Sequence, residues 1–138
     1  DPVTIPVANA VPAIFTTNGS GKGPGAILNE DLSANDKANA AARGTAIVIY
    51  ATGAGALPGA VDGRLTQPPF QPLTPLPTVR IGGVSAQVVY AGAAPGLIAG
   101  VLQINAIVPA EVPTGSAIPI DFSVGDIVSP AGVTVAIR

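Results

Sequence analysis

Apolar and polar residues alternate with a period of two along much of this chain, the spacing of a strand with one buried face. The first seven residues, DPVTIPV, place Val3, Ile5 and Val7 on one side and Pro2, Thr4 and Pro6 on the other. Val11 to Thr17 is a second apolar segment, and Ala26 to Asn29 a short third. Thr45 to Thr52 (TAIVIYAT) is apolar on both faces and predicts a central, buried strand. In Val84 to Tyr90, one face carries Val84, Ala86, Val88 and Tyr90. Val101 to Val108 gathers Leu102, Ile104, Ala106 and Val108 opposite Gln103 and Asn105. Ile118, Ile120, Phe122 and Val124 alternate with Pro119, Asp121 and Ser123, and Val133, Val135 and Ile137 with Thr134 and Ala136. Gly82-Gly83 fits a two-residue hairpin turn between Val79–Ile81 and Val84–Tyr90.

Two stretches break the rhythm. Between Pro58 and Pro77 lie six prolines. Without their donors this segment cannot run inside a sheet, and an extended loop or edge is expected. Ser33 to Ala42 (SANDKANAAA) is open to two readings. Ser33 with Asp36 fits a capping box and Gly44 a helix stop, so one helical turn is predicted; an ordered loop is the other reading. The expected fold is all-β: an immunoglobulin-like antiparallel β-sandwich with an N-terminal extension strand and a long Pro-rich loop. Residues 1–10 form the strand or arm and residues 11–138 the sandwich domain.

Composition supports sheet. Val and Ile number 29 and Ala 24, against five aromatics, so the core is built from small and β-branched side chains. Charged residues make up 10% of the chain and the net charge is −2. No basic patch exists to neutralise phosphates, which argues against nucleic acid as a partner. Few charges among so many apolar residues favour self-association. The longest uncharged runs, Thr45 to Val61 and Ile81 to Ala110, are broken by Gly, Pro and amides, so no membrane span is expected. No signal peptide is present, so the chain is read as mature or never exported.

The chain has no Cys, His, Met or Trp. Ser-His-Asp and Cys-His nucleophilic sites, disulfides and the common zinc sites are thereby excluded. A glycosidase-type carboxylate pair needs two of only eight carboxylates, and most sit beside turns. We expect no catalytic residue, no cofactor and no resident metal, hence no enzyme. GSGKGPG lacks the spacing of a phosphate-binding loop and reads as a hairpin loop. The oxygen-rich stretch Glu30 to Asp36 could hold Ca²⁺ but is not an EF-hand loop, and a solvated polar turn is the simpler reading. Asn18-Gly19-Ser20 is an N-glycosylation acceptor sequence. Thr66, Thr74 and Thr78 in the Pro-rich stretch are candidates for O-linked sugar.

From Val11 onward the chain resembles one family. The stretches VPAIFT, GAILNEDLSAND, AARGTAIVIYATGAG, VRIGGVSAQVVYAGAAPGLIAGVLQINAIVP and GVTVAIR are similar to the Ig-like C-terminal domain of secreted acidobacterial proteins, a Solibacter-type C-terminal domain. VRIGGVSAQVVYA is also similar to IPT/TIG-type modules. Ala40 departs from the pattern, standing where the family has Pro before AARG. The resemblance implies an extracellular or cell-surface bacterial setting and an immunoglobulin-like sandwich, and implies no activity. In the family this domain ends a longer protein, so the residues before Val11 are expected to distinguish this chain.

Backbone parity sharpens the reading of those residues. In a strand, the N–H and C=O of one residue address one neighbour and those of the next residue address the other. Pro2 and Pro6 share a parity and lack donors, so their side is an open edge, while Val3, Ile5 and Val7 can pair fully. The segment predicts a strand added to a sheet edge, either in its own domain or on the next copy. Two functions follow. In the first, the chain is a structural subunit of an extracellular filament, polymerising with itself head to tail. Val3, Ile5 and Val7 are then the donated face and Val11, Ile14 and Phe15 the anchor. In the second, it is a monomeric cell-surface module for adhesion or glycan binding, released from a larger secreted protein.

Overall fold

A computed structural model describes all residues, 1–138, and contains strands but no helix. The strands are β1 (Ala13–Ile14), β2 (Gly23–Pro24), β3 (Ile27–Leu28), β4 (Ala46–Thr52), β5 (Thr78–Ile81), β6 (Val84–Ala93), β7 (Leu102–Ile107), β8 (Gly115–Val124), β9 (Ile127–Val128) and β10 (Val133–Ile137). The fold is all-β, as the alternation predicts. The strands follow one continuous path, β1-β4-β7-β6-β5-β8-β10-β2, with β3 also on β4 and β9 on β8. The sheet is mixed, because β10 pairs with β2 in parallel while the other strand pairs are antiparallel.

The continuity comes from β6. Its first residues pair with β5, from Ile81↔Val84 to Val79↔Ala86, and its later ones with β7, from Gln87↔Ile107 to Ala93↔Leu102. The handover falls between Ala86 and Gln87, and just beyond it the register shifts between Val88 and Tyr90, a bulge that bends the strand locally. The sheet so curls over one core. That core takes the inward rows read from the sequence: Ile47, Ile49, Leu102, Ile104, Ala106, Ile120 and Phe122 are buried in it, with Val133, Val135 and Ile137. Phe122 is its one aromatic, so β-branched side chains fill most of the volume. The Gly82-Gly83 hairpin forms, both glycines at positive φ (57° and 80°), the conformation a type I′ turn demands.

Ser33–Ala42 is a loop, not a helical turn. Asp36 does what a cap does, its Oδ1 accepting the N–H groups of Ala38 and Asn39. No helix follows, because the segment spends its polar groups across the fold. Asn35, buried, donates to Asn29 Oδ1 and Ala136 O and accepts from Ala136 N at 2.8–2.9 Å. The Pro-rich stretch contains no strand; it meets β6 through the bridge Pro72↔Gly92 and the bond from Leu73 N–H to Ala91 O, and Leu73 packs against the core.

Candidate assembly site: the N-terminal arm

The arm is exposed in full. Residues 1–9 lie at the surface, and Val3, Ile5 and Val7 are 83%, 75% and 96% exposed. None of Asp1 to Ala10 makes a hydrogen bond within the chain, through backbone or side chain; the first is Val11 N–H to Gly53 O at 2.8 Å. The segment expected as an edge strand therefore has no strand partner in its own domain.

Its root is fixed. Ala10 and Pro12 are buried, and the chain from Asn9 to Pro12 lies directly against Gly53 and Gly55. A Cβ on Gly55 would stand 2.6 Å from Asn9 O. Both glycines also hold positive φ, 79° and 84°. Two features of the same short stretch thus require glycine, the backbone twist and the close approach. Beyond the root, Ile14 is a core residue, and Phe15 is half-exposed, its N–H on Tyr50 O and its carbonyl accepting Ala26 N–H. Val11 remains exposed. The predicted anchor is thus divided: Ile14 is held by the core, Phe15 by the backbone ladder, and Val11 by its one backbone bond.

The other predicted residues scatter. Asn18 sits in the exposed β1–β2 loop with its Oδ1 accepting from Ser20 N–H and Oγ–H. Thr74 and Thr78 are exposed. Thr66 corrects the expectation of a sugar acceptor: it is buried, its Oγ1 has no hydrogen-bond partner, and its N–H and C=O bond to Leu97 O and Gly96 N. The folded chain leaves no room there for a glycan.

No group of three carboxylates converges on a metal-sized site. In the Glu30–Asp36 turn, Asp31 accepts from the Ser33 hydroxyl and N–H, and these bonds hold its carboxyl below the usual range. Asp121 pairs with Arg80 at 3.0 Å across β5 and β8. Burial pushes the Tyr90 phenol up. None of these groups shares a cleft with the arm. No helix is long and apolar enough to cross a membrane.

Reading the sequence alone misses the root. The signal was there: glycines two apart in ATGAG, just past a buried strand, mark a face where another backbone comes close. Comparison with family models, with curated proteins and with solved structures returns no match to this chain.

Proposed function

We propose that the chain is a structural subunit of an extracellular bacterial filament, polymerising head to tail by adding its N-terminal strand to the next copy. The observation that carries this reading is the state of Val3, Ile5 and Val7: three alternating apolar side chains, exposed on an arm whose backbone is unpaired and whose root is fixed. Covering them would contribute on the order of 1.5–3 kcal/mol each, before the cost of ordering the arm. The proline parity supports addition to one edge only, because Pro2 and Pro6 cannot donate on the other side. An arm given to one neighbour while the acceptor takes the arm of another makes a heterologous contact, which propagates unless a ring closes. The resemblance from Val11 onward supports the extracellular setting.

Light scattering and negative-stain imaging of the purified chain test this. Fibres are expected from the intact chain, and none from Ile5→Asp, which puts a charge in the middle of the apolar row. A stable monomer of the intact chain at high concentration overturns the proposal and leaves the surface-module reading.

A further inference from the structure

We propose that the arm is received, on the next copy, by the open groove between the Ala54–Ala56 segment, the Leu73–Pro77 segment and the end of β8. This rests on the strand-addition reading above and names its acceptor. The groove encloses about 210 Å³ and no charged residue lines it. Ala54, Leu73 and Val124 in its wall pack against the core from the other side, so a side chain entering it extends the core itself. Leu76 stands half-exposed in its lining.

The lining also presents unused backbone. Ala54, Ala56, Thr74 and Leu76 make no backbone hydrogen bond through either N–H or C=O. An extended guest needs a row of unpaired peptide groups beside apolar pockets for alternate side chains, the two components of β-strand addition. The arm brings the complement: unpaired N–H and C=O groups at Val3, Ile5 and Val7, and three apolar side chains on that register. A second exposed apolar cluster, Leu65 with Leu97 and Ile98, lacks this second component. There Thr66 N–H, Leu97 O, Arg64 O and Ala99 N–H are already paired with one another across the patch.

The groove adjoins the arm's own root, since Ala54 and Ala56 flank Gly55, which abuts Asn9. Yet the arm does not enter it, and its three apolar side chains stay exposed. The occupant we assign is therefore the arm of a second copy. Because root and groove are neighbours, the distance the arm bridges approximates the displacement between successive copies. Eight extended residues, Asp1 to Ala8, span at most about 26–29 Å, which caps that displacement.

The absence of cysteine makes the test clean. Ile5→Cys on one copy and Leu76→Cys on a size-tagged copy are mixed and bridged with a short bis-maleimide. A mixed two-chain product is expected, with little product when Leu97→Cys replaces Leu76→Cys. Ala56→Glu, at an exposed position, should abolish fibres while the circular dichroism spectrum stays unchanged. Fibres without the Ile5–Leu76 bridge overturn the acceptor and leave the filament standing. A bridge confined to single chains in the Ile5→Cys/Leu76→Cys double variant overturns the second copy as occupant. A discrete bridged pair without fibres supports the acceptor and overturns head-to-tail growth in favour of reciprocal exchange.

Discussion

Val11 and Gly53 hold the arm to the body: the Val11 N–H donates to Gly53 O at 2.8 Å, and a Cβ on Gly53 would stand 1.8 Å from the Val11 carbonyl oxygen. No side chain fits between these two backbones. Gly53→Ala must therefore displace the root as well as strain a backbone at φ +79°. Gly44 is the natural control, with φ +81° and nothing near the position a Cβ would take. Gly44→Ala should cost only the left-handed conformation, about 1–2 kcal/mol. Gly53→Ala should cost clearly more, and urea unfolding of the two variants measures the difference. Equal losses would mean that the close approach relaxes without penalty.

Asn35 acts as a piece of β-strand made from a side chain. Its amide meets both the N–H and the C=O of Ala136, on the edge of β10 between the stretch covered by β2 and the bonds to Ala41. Asn35→Ala leaves the buried Ala136 N–H and Asn29 Oδ1 without partners. At about 1–3 kcal/mol for each unsatisfied group, a loss of about 2–6 kcal/mol is expected in denaturant unfolding. Asn35→Asp keeps an acceptor for Ala136 N–H but sets a carboxylate against two oxygens. It should be worse than Ala at neutral pH and should recover on acidification.

The rows of the core were legible because a period of two assigns faces without any tertiary information. Leu102, Ile104, Ala106 and Val108 are all fully buried, as the alternation places them. Asn35 was not legible. Helix, loop and long-range hydrogen bonding share one local pattern in SANDKANAAA, and its partner, Ala136, is 101 residues away. The switch of β6 from β5 to β7 was hidden for a related reason: it falls between Ala86 and Gln87, with no Gly or Pro to mark it. Thr66 reads as an exposed loop residue among prolines, and only its pairing with the Gly96–Leu97 loop buries it. For the arm, parity marks Val3, Ile5 and Val7 as the residues free to pair, whereas the root depends on Gly53 and Gly55 meeting residues more than forty positions away.

Asp31 carries a small, signed pH dependence. The Ser33 hydroxyl and N–H bond its ionised form and hold its folded pKa below the ordinary value of 3.8. A carboxylate with a depressed folded pKa contributes stability above its unfolded pKa and loses it as pH falls through the folded one. The melting temperature of the parent protein should therefore exceed that of Asp31→Asn at pH 7. The gap should close below the folded pKa, and it should be small throughout because the turn is exposed. A gap that widens on acidification would refute the assignment of Ser33 as the cause.

Removing Asp1 to Ala8 separates folding from assembly. These residues make no hydrogen bond and leave their apolar side chains in water, so the isolated domain gains little from them. The truncated chain should unfold within about 0.5 kcal/mol of the intact one, as for changes at surface sites without partners, when both are compared in their dispersed form. Its root, from Asn9 to Pro12, still lies against Gly53 and Gly55. Fibres, by contrast, should vanish, because the truncated chain retains the groove but has no strand to donate. It should also act as a chain terminator. A truncated copy can accept an arm and offers none, so adding it to the intact chain should shorten fibres in proportion to its share of the mixture. Truncated chains that still polymerise would reject the arm as donor. Truncated chains that fail to shorten mixed fibres would show that the groove lies outside the growing contact.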